Sequence, residues 1–61
     1  KDAMEIINGA SDWLVDGGRL LVEHGFNQRK VLSNFAVSKG LFVLEQIDDV
    51  SGLPRVLVLG K

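Results

Sequence analysis

Apolar residues open the chain at positions 3, 4, 6, 7, 10, 13 and 14, in steps of three and four that draw one stripe along a helix. The spacing predicts a helix over 2–15, with Asp2 and Glu5 in the first turn, where negative charge suits the helix dipole. Gly9 inside the stripe costs roughly 1 kcal/mol relative to alanine and suggests close approach of a neighbour. Gly17 and Gly18 follow, suited to a left-handed cap and a turn. The pattern then changes. "RLLVE" (19–23) is a short apolar run without alternation, which predicts a strand covered on both faces.

Gly25 breaks that strand, and Asn27 is placed to cap a second helix over 28–38. Val31, Leu32, Phe35 and Ala36 form its buried face, Arg29, Lys30, Ser33 and Asn34 face water, and Lys39 with Gly40 closes it. "LFVLEQI" (41–47) is a strand, 48–54 a turn punctuated by Gly52 and Pro54, and "RVLVLG" (55–60) a last strand, again without alternation. A strand, a helix of about eleven residues and a strand make a parallel crossover unit. The short loop before the last strand makes an antiparallel hairpin. A strand apolar on both faces belongs inside a sheet, whereas Glu45 and Gln46 suit an edge. The expected order is therefore 19–23, 55–60, 41–47, an α/β arrangement in which an antiparallel last strand is inserted between the other two. The strand at 19–23 also reads as central, yet nothing in the chain covers its far edge. A free apolar edge is an aggregation hazard.

Sixty-one residues hold one domain at most. A chain of this size buries only about 60 % of the surface its unfolded form exposes. With no cysteine and a single histidine, a disulfide framework and a cysteine-based zinc site are excluded, and no metal site is expected. A net charge of −1 gives no case for direct binding to nucleic acid or an anionic membrane. No apolar run approaches a membrane span of roughly 18 residues. The amino end "KDAMEII" lacks a signal-peptide shape and reads as a segment of a longer chain; a cytoplasmic location is expected.

Glu23 and His24 are the residues that first suggest acid–base chemistry. A general base needs a second group within hydrogen-bond reach, and His24 is expected to be a loop residue without chemistry. Glu23 ends a strand whose carboxyl end, in open α/β sheets, faces ligands. It is expected either to line a cleft or to accept backbone N–H groups as a latch. Trp13, Phe35 and Phe42 are expected in the core, Phe26 as a loop anchor, and Arg55 paired with Asp48 or Asp49.

"WLVDGGRLLVE" resembles the segment that opens the fifth strand of class I S-adenosylmethionine-dependent methyltransferases. More closely, "GGRLLVEHGFNQ", a helix, a "KG-aromatic" step, and "DDVSGLPRVLVLGK" resemble the carboxyl-terminal segment of HemK-type protein-(glutamine-N5) methyltransferases, which modify peptide chain release factors. Glu23, Gly25 and Gln28 reproduce an E-x-G-x-x-Q spacing, and Asp49, Gly52, Arg55 and Gly60 fall where that family's closing hairpin has similar residues. The resemblance implies a Rossmann-like domain, S-adenosylmethionine as cofactor, a release factor as partner, and methyl transfer to a glutamine side-chain nitrogen by direct displacement. It implies a substrate cleft that Glu23, Gly25 and Gln28 line.

The family's glycine-rich loop and N-P-P-Y motif are both missing; the chain's only proline is Pro54. It is therefore expected to be a carboxyl-terminal fragment of one methyltransferase domain, 1–61, without catalytic or cofactor-binding residues and inactive alone. Two other readings stay open: a class I methyltransferase acting on a nucleic-acid amine, and a free-standing α/β interaction module that dimerises through its sheet edge.

Overall fold

The computed structural model describes residues 2–61. Helix α1 runs Ala3–Trp13, and Asp2 caps it, its Oδ1 accepting the Glu5 N–H at 2.9 Å. The helix stops two residues short of the expected end. The glycine pair forms a separate turn rather than a helix cap: Gly17 takes φ +83°, Gly18 N–H bonds Val15 C=O at 2.8 Å, and Gly17 N–H bonds the Lys61 carbonyl at 2.7 Å. A Cβ on Gly18 would lie 2.8 Å from that Val15 oxygen, so the turn tolerates only glycine there. Gly9, by contrast, approaches nothing beyond Trp13 of its own helix.

Strand β1 is Arg19–Glu23, helix α2 Arg29–Ser38, strand β2 Phe42–Asp48 and strand β3 Pro54–Gly60. The sheet order is β1-β3-β2, with both neighbouring pairs antiparallel, which is the order expected from the burial contrast between the last two strands. Leu41 lies outside β2. Its N–H bonds Ala36 C=O at 3.0 Å while Gly40, at φ +83°, bonds Val37 C=O, the paired bonds of a glycine-terminated helix end. Leu41 is itself buried at 2 % exposure, so the turn that ends α2 also seals the core.

Both helices lie on one face of the sheet. Ile7 and Ala10 from α1, Leu14 just past its end, Leu32 and Ala36 from α2, and Val22, Leu57 and Leu59 from the strands close the core with Leu41. Because successive strand residues alternate faces and cross-strand partners share one, Leu21, Phe42, Glu45, Ile47, Val56 and Val58 occupy the other face. That face carries no helix, which corrects two expectations. Strand β1 is covered on one side only, with Leu21 65 % exposed, and it stands at the sheet's edge. Phe42 is likewise exposed, not core. Trp13 and Val31 also lie outside the core, because the helical stripe that meets the sheet is narrower than the apolar set. Phe35 packs against the core as expected. Strand β3 is inserted as expected, with residues 57–60 buried. Leu44 sits at a register shift in β2 and folds over Gly60, where a Cβ would come within 2.6 Å of its Cδ1.

Candidate functional site

Chemically distinctive residues collect where β1 ends. Residues 20, 22 and 24 alternate inward, so His24 continues the core face of the strand. It is 5 % exposed, and its N–H bonds the Arg55 carbonyl at 2.9 Å, extending the ladder to β3. Its Nδ1 lies 2.7 Å from the Gly25 carbonyl oxygen, so that nitrogen carries the proton and donates. Nε2 is left as a buried acceptor without a partner among the described residues. The expected loop bystander is therefore a structural brace. The inward alternation of Leu20, Val22 and His24 was the signal for it, masked by the equally apolar Leu21.

Gly25 is held on both sides of its peptide plane. Its carbonyl accepts the Gln28 N–H at 3.0 Å as well as the imidazole, and its own N–H donates to Gln28 Oε1 at 2.8 Å. A Cβ on Gly25 would sit 3.3 Å from that Oε1. The G-x-x-Q half of the spacing is thus a closed local latch in which glycine allows the close approach and glutamine supplies the acceptor. Glu23 does not join it: its side chain makes no hydrogen bond among the described residues and is exposed. The latch expected of Glu23 is built by Gln28 instead. Gln28 also occupies the cap position of α2 that was expected of Asn27, without a side-chain bond to the helix. Phe26, expected as an anchor, is 61 % exposed.

Two hollows flank this rim. One, of about 550 Å³, lies between α1 and the outer edge of β1, lined by Ala3, Ile6, Leu21, Val22 and Val56, with Glu23 the sole charge. The other, of about 450 Å³, lies between the start of α2 and the helix-side face of β2, where Arg29, Lys30, Ser33 and Gln46 meet Phe26. Arg29 and Ser33 were expected to face water but are half-buried here. Arg29 Nη2 bonds Asp48 Oδ1 at 2.8 Å and the Ile47 carbonyl at 3.1 Å, pinning α2 to β2. Asp49 pairs with Arg55 at 3.7 Å, one of the two pairings expected for that arginine.

The residues present do not fit an S-adenosylmethionine site. The only glycine pair has both N–H groups consumed, by Lys61 and Val15, so it offers no cradle for a ligand. Among the described residues no group of three or more metal-ligating side chains converges, and no helix is long and apolar enough to cross a membrane.

Likeness to known proteins points first to an enzyme class and then to named relatives. The chain is similar to methyltransferases. Curated relatives are the release factor glutamine methyltransferases of Thermodesulfovibrio yellowstonii (35 % identical over 57 residues, 93 % of this chain and 20 % of that protein), Neisseria gonorrhoeae (41 % over 56, 92 % and 20 %) and Coxiella burnetii (36 % over 53, 87 % and 19 %). The likeness to release factor glutamine methyltransferases drawn from the residues alone is thereby shown, and the chain spans about one fifth of the length of these curated relatives. No protein-family model and no solved structure matches it.

Proposed function

We propose that this chain is the carboxyl-terminal segment of a Rossmann-like class I methyltransferase domain, whose whole polypeptide transfers a methyl group from S-adenosylmethionine to a glutamine side-chain nitrogen of a peptide chain release factor in the cytoplasm. The observation that carries this reading is identity of 35–41 % to three release factor glutamine methyltransferases along nearly the whole chain. Two physical features support the segment reading. Strand β1 has a partner on one edge only, and the sheet face without helices leaves Leu21, Phe42 and Ile47 exposed. A surface of that kind in a soluble domain ordinarily has something packed on it.

In this reading the cofactor and the reacting amide are held by the rest of the polypeptide. The 61 residues supply three strands, a core, and a rim braced by His24, Gly25 and Gln28. Glu23 presents an unpaired carboxylate from that rim towards the substrate cleft, and Gly25 and Gln28 keep the loop in the shape that aims it.

The test is methyl transfer by the full polypeptide that carries these residues. Given labelled S-adenosylmethionine and a release factor, it is expected to add one methyl group to a glutamine, located by peptide mass spectrometry. Label on a nucleic-acid base, or no label on the release factor, would overturn the proposal. The same assay with Glu23→Gln reads the cleft role through a rise in KM for the release factor.

A further inference from the structure

The hollow at the start of α2 has a chemistry that neither the latch nor the open sheet face shares. Its walls carry hydrogen-bonding side chains, Asn27, Ser33, Asn34 and Gln46, and two cations, Arg29 and Lys30, with a ring of Phe26 exposed at the mouth. Asp48 neutralises one cation by its 2.8 Å contact with Arg29, and the Lys30 charge is left over. The same contact, with the Ile47 carbonyl bond, fixes the guanidinium. Two donors are then stranded: Arg29 Nε and Ser33 Oγ are both buried and find no partner among the described residues. They sit four residues apart on α2 and so share one helix face. Buried donors without acceptors are unfavourable; both atoms are closed to solvent, so the Ser33 hydroxyl meets an acceptor by turning into the hollow, while the fixed Arg29 contributes charge to a ligand with several lone pairs and a negative charge.

We propose that this hollow is a docking subsite for a carboxylate side chain, aspartate or glutamate, on the protein substrate. Arg29, Ser33 and Lys30 supply donors and charge, the amides of Asn27, Asn34 and Gln46 take the neighbouring peptide groups, and Phe26 covers an apolar neighbour. This rests on the proposed function for the identity of the partner. One surplus cation in a chain of net charge −1 suits a single carboxylate and is far too little for a nucleic-acid backbone, whose binding draws on many phosphate contacts. The subsite binds substrate remotely from the reacting amide and therefore acts on KM.

The test uses the full polypeptide with a release factor as methyl acceptor. Lys30→Glu is expected to raise KM for the release factor about tenfold and Ser33→Ala a few-fold, with kcat and the KM for S-adenosylmethionine unchanged. Added salt is expected to weaken the wild type more than Lys30→Glu. Unchanged KM in both variants of an active enzyme would overturn the subsite and leave the function standing. Should the wild type methylate no release factor, the function fails, and the subsite is read by NMR titration of the same protein with a glutamate-rich peptide and its glutamine counterpart. Amide shifts at Lys30 and Ser33 with the glutamate peptide alone support it. Equal responses to the two peptides, or a larger response to an RNA oligonucleotide, overturn it.

Discussion

The two faces of the sheet are made of the same kinds of residue and come to opposite ends. On one, Leu57 and Leu59 are fully buried under two helices; on the other, Leu21, in the strand next to them, is 65 % exposed. Apolar identity is shared, so what separates them is supply of a cover. The closed side is finished by the chain's own groups: Asp2 caps α1, and Gly40 and Leu41 end α2. On the open side Val58 and Gly60 are shielded by their neighbours, Gly60 beneath Leu44, while Leu21, Phe42 and Ile47 stay exposed.

The largest expected effect tests that contrast directly. Leu57→Ala should destabilise the protein by about 2–5 kcal/mol in urea unfolding, the usual cost of a cavity in a packed core. Leu21→Ala in the 61-residue chain should change stability by no more than about 0.5 kcal/mol. In the longer polypeptide the same Leu21→Ala should become core-like, costing roughly as much as Leu57→Ala. Should Leu21→Ala stay neutral there, the idea that further polypeptide covers this face is wrong.

The same asymmetry explains what could be read from the residues. Strand order was legible because burial differs along the chain: residues 57–60 are apolar without a break, while Glu45 and Gln46 mark β2 as an edge. Trp13 and Phe42 were misplaced because an apolar side chain says that it wants cover, not that this chain provides any. At the rim, the spacing of Glu23, Gly25 and Gln28 was visible, but its meaning was not. Only the backbone path shows that Gln28 turns back on Gly25 and leaves Glu23 free. The hollow at α2 joins Arg29 and Ser33 of the helix with Gln46 of strand β2. Of that site only the i, i+4 relations of Arg29 with Ser33 and Lys30 with Asn34 lie within one helix, and the pairing with β2 comes from the fold.

A smaller effect lies at the border between the two sides. Gly60 is buried beneath Leu44 on the open face, and an alanine Cβ would meet Leu44 Cδ1 at 2.6 Å and Cγ at 3.1 Å. Alanine in a strand gains roughly 0.5–1 kcal/mol over glycine from backbone entropy, and overpacking costs about 1–3 kcal/mol. Since the obstructing atoms end a half-exposed side chain that can swing away, Gly60→Ala should cost about 1 kcal/mol net. In a Leu44→Ala background the clash is gone and Gly60→Ala should become neutral or stabilising. A cost that persists in the double variant would mean that backbone, rather than Leu44, restricts the site.

The smallest effect belongs to the turn that joins β2 to β3. Asp49 holds its carboxyl below the ordinary value of 3.8, chiefly because its Oδ1 accepts the Leu53 N–H at 3.1 Å. The Ser51 N–H at 2.8 Å and the nearby Arg55 guanidinium act in the same direction, against a partial burial that pushes the other way. A carboxyl whose folded value is depressed binds its proton less readily when folded, so its contribution is fully present above the unfolded value and is lost as pH falls through the folded one. Asp49→Ala removes the acceptor outright, and Asp49→Asn keeps an oxygen for the two N–H groups while removing the charge. The stability gap between wild type and Asp49→Ala should hold at neutral pH and shrink on the acid side of 3.8, whereas the gap between Asp49→Asn and Asp49→Ala should not move with pH through this group. A wild-type gap that stays constant through that range would show that the turn is held by its backbone bonds, Asp49 N–H to Leu53 C=O and Gly52 N–H to Asp49 C=O, with the carboxylate merely alongside.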